Sequence, residues 1–266
     1  MKKVGIIAGA GELPIIFARK ARKNGIKVVG FAIESMAPAD FDKECDKVYR
    51  LNIGQFKKFL FLLIFERIKK IVLLGKIDKT AIYNNTKKDE KAIELLKSTG
   101  DKSDYTILDK ITKGFQKIGI EVISGTEYLS ELFPSKGILT KKVPSENQRD
   151  DINLGLNVAR ELARLDIGQS VVVKDKAIVS VEAMEGTDKT IQRAAALCGE
   201  GFTVVKVPRP KQDMRWDVPV VGPDTLRIIA ENKGKVLAIE EKKMFLLKKE
   251  ECINFADKND ISIVVV

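Results

Sequence analysis

The feature that most constrains the fold is a strand, a glycine-rich turn, a helix and a second strand at the start of the chain. Residues 3–8 are apolar enough for a buried strand, and residues 9–14 form a turn that contains two glycines. The apolar periodicity of residues 15–24 predicts a helix that ends at Gly25, and residues 27–32 predict the second strand. This order is a βαβ unit, which predicts a parallel sheet.

Strands and helices continue to alternate along the rest of the chain. Further helices are predicted over residues 54–67, 107–118, 152–165, 189–197 and 223–232. Further strands are predicted over residues 70–74, 121–123, 170–173, 177–183 and 202–207, with short strands from residue 236 to the end. The pattern lapses at 132–151, a polar stretch with proline and glycine, so we predict two domains, 1–135 and 136–266. The predicted fold class is α/β, with a parallel sheet in the N-terminal domain and a distinct α/β C-terminal domain.

The composition excludes several kinds of catalytic site. The chain contains no histidine, which excludes Ser-His-Asp and Cys-His triads and histidine-ligated zinc. The three cysteines, Cys45, Cys198 and Cys252, are too widely spaced for a disulfide framework or a cysteine-rich zinc site. Catalysis would therefore use carboxylates, lysines, hydroxyls or a metal held by oxygen, and a reducing cytoplasm is the expected location.

The formal net charge of +10 is compatible with nucleic acid, an anionic membrane surface or phosphorylated substrates. Only 6% of the residues are aromatic and the lysines are scattered, which disfavours nucleic acid because single strands need stacking platforms. The longest apolar run, residues 59–65, is too short to span a bilayer, and the N-terminus is better interpreted as a strand than as a signal peptide. Phosphorylated substrates and an anionic membrane surface therefore remain as the expected binding partners of this basic chain.

The N-terminal half offers two candidate ligand contacts. Gly9 and Gly11 stand between a strand and a helix, where the backbone can approach a phosphate at the helix N-terminus. The turn resembles a dinucleotide fingerprint, except that Pro14 replaces the third glycine. Lys76 follows a predicted strand, at the end where α/β proteins bind ligands. The alternatives are a tight turn without a ligand and a solvated lysine.

In the C-terminal half, acidic residues occur where strands end. Glu182, Glu185 and Asp188 are three residues apart, so a helical turn would place them on one face. Asp213 and Asp217 lie in a loop with basic neighbours. Carboxylates and cations together indicate a site for a divalent metal and phosphates, because Mg²⁺ takes one or two carboxylates plus phosphate oxygens. The alternative is a network of salt bridges.

Several stretches resemble one family along essentially the whole chain. They are residues 7–14 (IAGAGELP), 165–169 (LDIGQ), 181–188 (VEAMEGTD), 206–210 (KVPRP) and 222–225 (GPDT). The family is the histidine-free UDP-2,3-diacylglucosamine pyrophosphatases of lipid A biosynthesis (LpxI type), which some Gram-negative bacteria use. The motifs of the second half are long and specific, whereas the first motif alone is weak.

The resemblance implies an N-terminal Rossmann-like domain, a distinct C-terminal α/β domain and a lipid-bearing site in the cleft between them. It also implies Mg²⁺ as cofactor, a homodimer, and a lipid-linked UDP-sugar as substrate. In the reaction that it implies, water attacks the β-phosphorus to release UMP and the diacylated sugar 1-phosphate (lipid X). An essential aspartate of the family maps to Asp213 or Asp217, and the choice stays open.

The site residues follow from the resemblance and from motif position. The predicted catalytic residues are Asp213, Asp217 and Arg215. The predicted substrate-binding residues are Gly9, Gly11, Lys76, Glu182, Thr187, Lys206 and Gln212. The predicted Mg²⁺ ligands are Asp213, Asp217, Glu185 and Asp188. Residues 78–106, which are rich in lysine and asparagine, are expected to contact the inner membrane surface transiently.

Two other functions compete with this prediction. An NAD(P)-dependent oxidoreductase would need an acidic ribose ligand after the second strand, and Glu34 stands near the right distance. Pro14 and the acidic C-terminal half argue against it. A non-catalytic sugar-nucleotide-binding protein would bind a UDP-sugar without turnover.

Overall fold

The structure of the chain is a computed structural model. It describes residues 2–77, 89, 90, 93, 104–210 and 212–266. Most of the segment 78–106, which was predicted to contact the membrane, lies outside the described residues. Within the described ranges, every helix is too short or too polar to cross a bilayer.

Contacts along the chain divide it into two compact units. Unit 1 comprises residues 1–130 together with 214–217, and unit 2 comprises residues 131–213 together with 218–266. The short segment 214–217 therefore belongs to unit 1 although it is far along the chain. The domain boundary after residue 135 stays a prediction.

Unit 1 is built on a five-stranded parallel sheet. Its strands are β1 (Lys3–Ala8), β2 (Lys27–Ile33), β3 (Lys47–Leu51), β4 (Lys70–Leu74) and β5 (Glu121–Val122), and the α-helices whose bounds lie within the described residues include α1 (Leu13–Lys23), α2 (Phe56–Phe65) and α3 (Asp104–Lys117). The strand order is β3-β2-β1-β4-β5, and all neighbours pair in parallel. The chain leaves β1 toward β2 and β3 and then returns to β4 on the other side, so the order reverses between β1 and β4. In such sheets ligands bind at the carboxyl ends of the strands at this point.

Burial explains why these residues form a parallel sheet. In β2 every residue after the first is buried, which is the continuous apolar pattern of a strand covered on both faces. On one side, α2 and α3 contribute Phe59 and Phe115 to a core with Phe31 and Ile71. The Phe59 ring meets Phe31 and Phe115 edge to face, with centroids 5.1 and 5.8 Å apart.

Unit 2 contains a six-stranded mixed sheet and a small two-stranded sheet. In chain order its elements are β6 (Gly137–Ile138), α4 (Glu146–Arg164), β7 (Ser170–Lys174), β8 (Ala177–Val181), α5 (Thr187–Cys198), β9 (Thr203–Lys206), β10 (Val220–Val221), α6 (Pro223–Glu231), β11 (Val236–Ile239), β12 (Phe245–Leu246), α7 (Lys249–Lys258) and β13 (Ser262–Val265). The large sheet has the order β6-β13-β11-β9-β7-β8, and β10 pairs with β12. β13, β11 and β9 are parallel, whereas β6, β7 and β8 pair antiparallel with their neighbours.

Helices cover both faces of this mixed sheet. Val204 of β9 packs in a core with Ile191 of α5 and Leu226 of α6, whereas the next residue, Val205, packs in a second core with Leu156 of α4. Successive residues of a strand point to opposite faces, so α4 lies on one face and α5 and α6 on the other. The predicted α/β fold class, with a parallel sheet in the N-terminal part and a distinct C-terminal α/β part, is confirmed.

Some predicted element bounds were wrong. Helix α4 begins at Glu146 rather than at 152, because Ser145 and Gln148 form a capping box: the Ser145 Oγ accepts from the Gln148 N–H at 3.3 Å, and the Gln148 Oε1 accepts from the Ser145 N–H at 2.9 Å. Strand β8 ends at Val181 rather than at 183. Strand β3 and helix α7 were not predicted, although α7 has Glu250 and Glu251 in its first turn.

Glu66, directly after α2, joins three parts of unit 1. Its carboxylate accepts hydrogen bonds from Lys47 Nζ at 2.7 Å, Tyr49 Oη at 2.6 Å and Lys3 Nζ at 3.2 Å. The Glu66 side chain is only 10% exposed. Lys47 first, and then Tyr49, lower the pKa of Glu66 from an ordinary 4.5 to about 2.

We expect Glu66→Gln to destabilise unit 1 by about 1–3 kcal/mol at neutral pH, because the amide cannot replace a charge-assisted acceptor of three donors. A lowered pKa stabilises the folded state above the unfolded value of 4.5, and this contribution is lost as the pH falls toward 2. Urea unfolding of wild type and variant from pH 7 to pH 2 measures the difference in free energy of unfolding. The difference should be constant at neutral pH and shrink below about pH 4.5; a difference that does not change with pH would contradict this role of Glu66.

Candidate functional site

The turns that follow β1 and β4 in unit 1 are joined by backbone hydrogen bonds. The Ala10 N–H donates to the Lys76 carbonyl at 2.8 Å, and the Lys76 N–H donates to the Ala10 carbonyl at 2.9 Å. A Cβ on Gly9 would lie 2.4 Å from the Lys76 carbonyl oxygen, and one on Gly75 would lie 2.6 Å from the Ala10 oxygen. Gly9 is therefore required for this close approach, and the approach places the exposed Lys76 beside the glycine turn.

Gly11 has a different constraint. Its φ of +98° lies in the left-handed region that favours glycine, but a Cβ there would meet no atom within 4 Å. The space beside Gly11 is open, at the N-terminal end of α1. Pro14 occupies the first turn of α1 and Glu12 gives it no side-chain cap. Proline has no N–H to donate, so it removes one of the unpaired donors of the first helical turn.

The segment Met214–Asp217 lies at the same edge of the unit 1 sheet. The Ser124 Oγ, just after β5, donates to the Met214 carbonyl at 2.9 Å, and Trp216 packs half-buried against the core of unit 1. The Arg215 guanidinium stacks over the Trp216 ring at 4.5 Å from its centroid. Thus Arg215 and Asp217 belong to unit 1 with Gly9, Gly11 and Lys76, whereas Asp213 belongs to unit 2.

Unit 2 has a polar cluster where β7 begins and β8 ends, formed by the buried residues Ser170, Glu182 and Lys206 and the half-buried Thr187. The Thr187 Oγ1 donates to the Glu182 Oε1 at 3.1 Å and lies 3.2 Å from the Ser170 Oγ. Lys206 stands opposite Ser170 in the β7–β9 register, and its Nζ lies 3.5 Å from the Val220 carbonyl oxygen. Glu182 and Lys206 are each only 8% exposed. A carboxylate and an ammonium group are therefore both desolvated at this strand end.

Three buried polar atoms around this cluster have no hydrogen-bond partner among the described residues. They are the Glu182 Oε2, the Gln169 Oε1 and the Arg209 Nε. Buried polar groups in native proteins are nearly always paired, so unpaired atoms of this kind require a specific explanation. Two acceptor atoms and one donor atom in this part of unit 2 therefore lack a hydrogen-bond partner.

Gly168 allows the two loops beside this cluster to touch. A Cβ on Gly168 would lie 2.0 Å from the Glu182 carbonyl oxygen, a distance that no side chain can adopt. The Glu182 N–H in turn donates to the Ser170 carbonyl at 2.9 Å. Sequence reasoning missed Ser170 and Gly168 as contributors, although Gly168 lies in one of the motifs that carry the family resemblance.

The predicted helical face of Glu182, Glu185 and Asp188 is wrong. Helix α5 begins only at Thr187, because Gly186 has a φ of +81° that interrupts a helix. Glu185 turns back to accept from the Ala183 N–H at 3.1 Å and from the Arg193 Nη2 at 2.5 Å. Backbone hydrogen bonding of Glu185 first, and Arg193 second, hold the pKa of Glu185 below its ordinary range.

Gln212 lies in a turn, and Asp188 is exposed. The Gln212 Oε1 accepts from the Arg209 N–H at 3.0 Å, while the Gln212 N–H donates to the Arg209 carbonyl, so the side chain closes a turn. Asp188 lies in the first turn of α5 and is exposed. Among the described residues, no three or more cysteine and acidic side chains form a cluster that could hold a metal ion. The unpaired Glu182 Oε2 is the kind of oxygen atom that can serve as one ligand of a hard cation such as Mg²⁺.

The fold and these contacts define a two-unit α/β protein with polar side chains gathered at strand ends. Residues 3–132 match the model of the LpxI N-terminal domain, and residues 135–264 match the model of the LpxI C-terminal domain. The chain therefore belongs to the LpxI family.

A curated relative spans the same length. The UDP-2,3-diacylglucosamine pyrophosphatase LpxI of Caulobacter vibrioides is 29% identical over 277 aligned positions, which cover 100% of this chain and 97% of the relative. Among solved structures, a biotin carboxylase domain from Hydrogenobacter thermophilus is 15% identical, with a TM-score of 0.31, over 73% of this chain and 40% of its own. A carboxyaminoimidazole ribonucleotide synthetase from Thermotoga maritima is 18% identical, with a TM-score of 0.26, over 70% and 42%. This chain spans less than half of either, and such scores carry no argument about function.

We expect Gly168→Ala to destabilise unit 2 by about 1–3 kcal/mol, because the added methyl group collides with a backbone oxygen. The matched control is Gly114→Ala in α3, where a Cβ meets nothing within 4 Å. There alanine should stabilise the helix by about 0.5–1 kcal/mol. Urea unfolding curves measure both changes, and equal stabilities of the two variants would contradict the close approach.

Proposed function

We propose that this chain hydrolyses the pyrophosphate of UDP-2,3-diacylglucosamine to UMP and 2,3-diacylglucosamine 1-phosphate, a step of lipid A biosynthesis. The observation that carries this proposal is the match to a UDP-2,3-diacylglucosamine pyrophosphatase from end to end, in both units. The absence of histidine is compatible with the reaction, because pyrophosphate hydrolysis needs charge neutralisation and a positioned water rather than an imidazole.

In unit 1 we assign the nucleotide to the edge where the strand order reverses. Gly11 leaves open space at the N-terminal end of α1, and Lys76 is held next to it by the hydrogen bonds to Ala10. A helix N-terminus and a lysine both favour an anionic oxygen, so this edge suits a phosphate of the uridine nucleotide. Gly9 serves the same site by allowing the two turns to meet.

In unit 2 we assign the polar part of the sugar phosphate to the buried cluster. Lys206 supplies positive charge, and Thr187 and Glu182 supply hydroxyl and carboxylate groups at a desolvated strand end. The unpaired Glu182 Oε2 is available to accept a hydrogen bond from a sugar hydroxyl or to bind a cation. Gln212 contributes through the turn that it closes with Arg209.

Asp213, Arg215 and Asp217 carry the chemistry in this proposal. Water attacks the β-phosphorus, the bond from that phosphorus to the bridging oxygen breaks, and UMP leaves with the bridging oxygen. Asp213 or Asp217 accepts the proton of the attacking water, and Arg215 stabilises the charge on the phosphate oxygens.

We propose Mg²⁺ as the cofactor, which when bound would neutralise charge on the transferring phosphoryl group. The residues proposed to hold it are one or two of Asp213, Asp217, Glu185 and Asp188 together with phosphate oxygens, because no three acidic side chains of the described residues form a metal-binding cluster. Glu185 is already engaged by Arg193, so its part in this set requires that ion pair to open. We also propose a cytoplasmic homodimer that binds a lipid-linked UDP-sugar and no nucleic acid.

One observation favours the oxidoreductase as a second candidate. Glu34 follows β2 directly, and its N–H donates to the Leu51 carbonyl at the end of β3, so its position is that of a ribose ligand. The two candidates differ in an easily measured property, since only an oxidoreductase would change the absorbance of a nicotinamide cofactor.

We expect Asp213→Asn and Asp217→Asn to lower the turnover of UMP release, and the variant that removes the proton acceptor to lower it by about 10²–10⁴-fold. The matched control is Asp175→Asn in the β7–β8 turn. Asp175 is exposed and has a φ of +49°, which asparagine tolerates. Chromatography of UMP, with and without Mg²⁺, measures turnover. Wild-type turnover in both site variants would show that neither aspartate takes part in the reaction.

We expect Gly11→Ala to raise the KM for the UDP-sugar by about tenfold, because a methyl group would enter the phosphate space. Gly25→Ala is a suitable control, since Gly25 also has a positive φ, of +71°, and no neighbour within 4 Å of a Cβ. Both variants should lose similar stability, about 1 kcal/mol, whereas only the Gly11 variant should bind substrate more weakly. A KM equal to that of wild type would show that the nucleotide does not bind at this turn.

A further inference from the structure

Helix α2 has an apolar face that the core of unit 1 does not cover. Phe59, Leu62 and Leu63 are buried in the core, whereas Phe61, Ile64 and Phe65 are 64%, 64% and 63% exposed. The rings of Phe61 and Phe65 stack with their centroids 6.0 Å apart. Residues three and four apart lie on one face of a helix, so the three exposed side chains form one continuous surface, the α2 patch.

The described residues that flank the α2 patch in the sequence are predominantly cationic. Exposed cations precede and follow it in the sequence: Lys57, Lys58, Arg67, Lys69 and Lys70. Lys57 pairs with Glu90 and Lys70 with Glu121, and Asp89 accepts from the Lys57 N–H. The helix itself contains no acidic residue, and Glu66 is directed inward to Lys3, Lys47 and Tyr49.

We propose that the α2 patch docks this chain on the surface of an anionic phospholipid membrane. Phenylalanine and isoleucine side chains on one helix face enter the boundary between headgroups and acyl chains, and flanking lysines and arginines bind anionic headgroups. The proposal concerns the exposed side chains of α2 itself rather than those of the segment 78–106, which was predicted from the sequence to contact the membrane. The docking proposal rests on the exposure and charge of the α2 side chains, so it is independent of the reaction proposed above.

A second copy of the chain fits the α2 patch less well. In a two-fold dimer the same surface meets itself, so the cations at both ends of α2 would approach cations of the partner. Three side chains on a ten-residue helix also cover much less than the roughly 800 Å² per partner that stable interfaces bury. An anionic membrane instead offers opposite charge and an apolar interior to the same side chains.

The test is sedimentation of the full chain with sucrose-loaded vesicles, without substrate. One vesicle preparation is pure phosphatidylcholine and the other contains equal parts of phosphatidylcholine and phosphatidylglycerol. We expect binding to the anionic vesicles at low salt, weakened by added salt and about tenfold weaker or more for phosphatidylcholine alone.

The test variant is Phe61→Ser, Ile64→Ser and Phe65→Ser combined, which changes only exposed side chains. The matched control is Val143→Ser, Ile178→Ser and Leu197→Ser, three apolar residues that are 51%, 38% and 67% exposed in unit 2. We expect the α2 variant to lose at least about tenfold in vesicle affinity and the control to bind like wild type. Circular dichroism establishes that both variants are folded.

Either of two results would overturn the proposal: no binding of wild type to anionic vesicles at low salt, or binding of the α2 variant as strong as that of wild type. If the second result comes with a changed oligomeric state of the α2 variant on a sizing column, the patch is a self-association surface. UMP release from detergent-dispersed substrate is measured separately, so a loss of docking with retained hydrolysis distinguishes the two proposals.

Discussion

A strand that is buried on both faces can present polar side chains to a ligand only at its ends. The candidate site residues of both units follow this constraint. In unit 1 the close contact of the turns at Gly9 and Gly75 brings the ends of β1 and β4 together, where the strand order reverses. In unit 2 the beginning of β7, the end of β8 and the end of β9 place Ser170, Glu182 and Lys206 in one buried cluster. Glycines make both arrangements possible because a Cβ at Gly9 or Gly168 would collide with backbone oxygen.

Much of the fold could be predicted because the buried strands are continuous apolar runs. Strands β1 and β4 have the predicted bounds, and the α/β class with a parallel N-terminal sheet and a distinct C-terminal part is confirmed. The start of α4 was missed because its capping box lies in a polar stretch that resembled a linker. The acidic residues after β8 were placed on a helical face because spacing alone does not reveal the positive φ of Gly186.

The candidate site was only partly predictable, because some of its contacts join distant parts of the chain. Met214 is held by Ser124, 90 residues earlier, so its neighbours Arg215 and Asp217 belong to unit 1 although Asp213 belongs to unit 2. The apolar run of residues 59–65 was judged too short to span a membrane, and the sequence alone did not show that three of its seven side chains are exposed. The roles of the individual aspartates stay predictions.

The most direct test of the central claim is hydrolysis of UDP-2,3-diacylglucosamine by the purified protein in ¹⁸O-labelled water with Mg²⁺. If water attacks the β-phosphorus, UMP is released without label and the label appears in the diacylated sugar 1-phosphate. No release of UMP alongside an active control enzyme would contradict the proposed function, and label in UMP would contradict attack at the β-phosphorus.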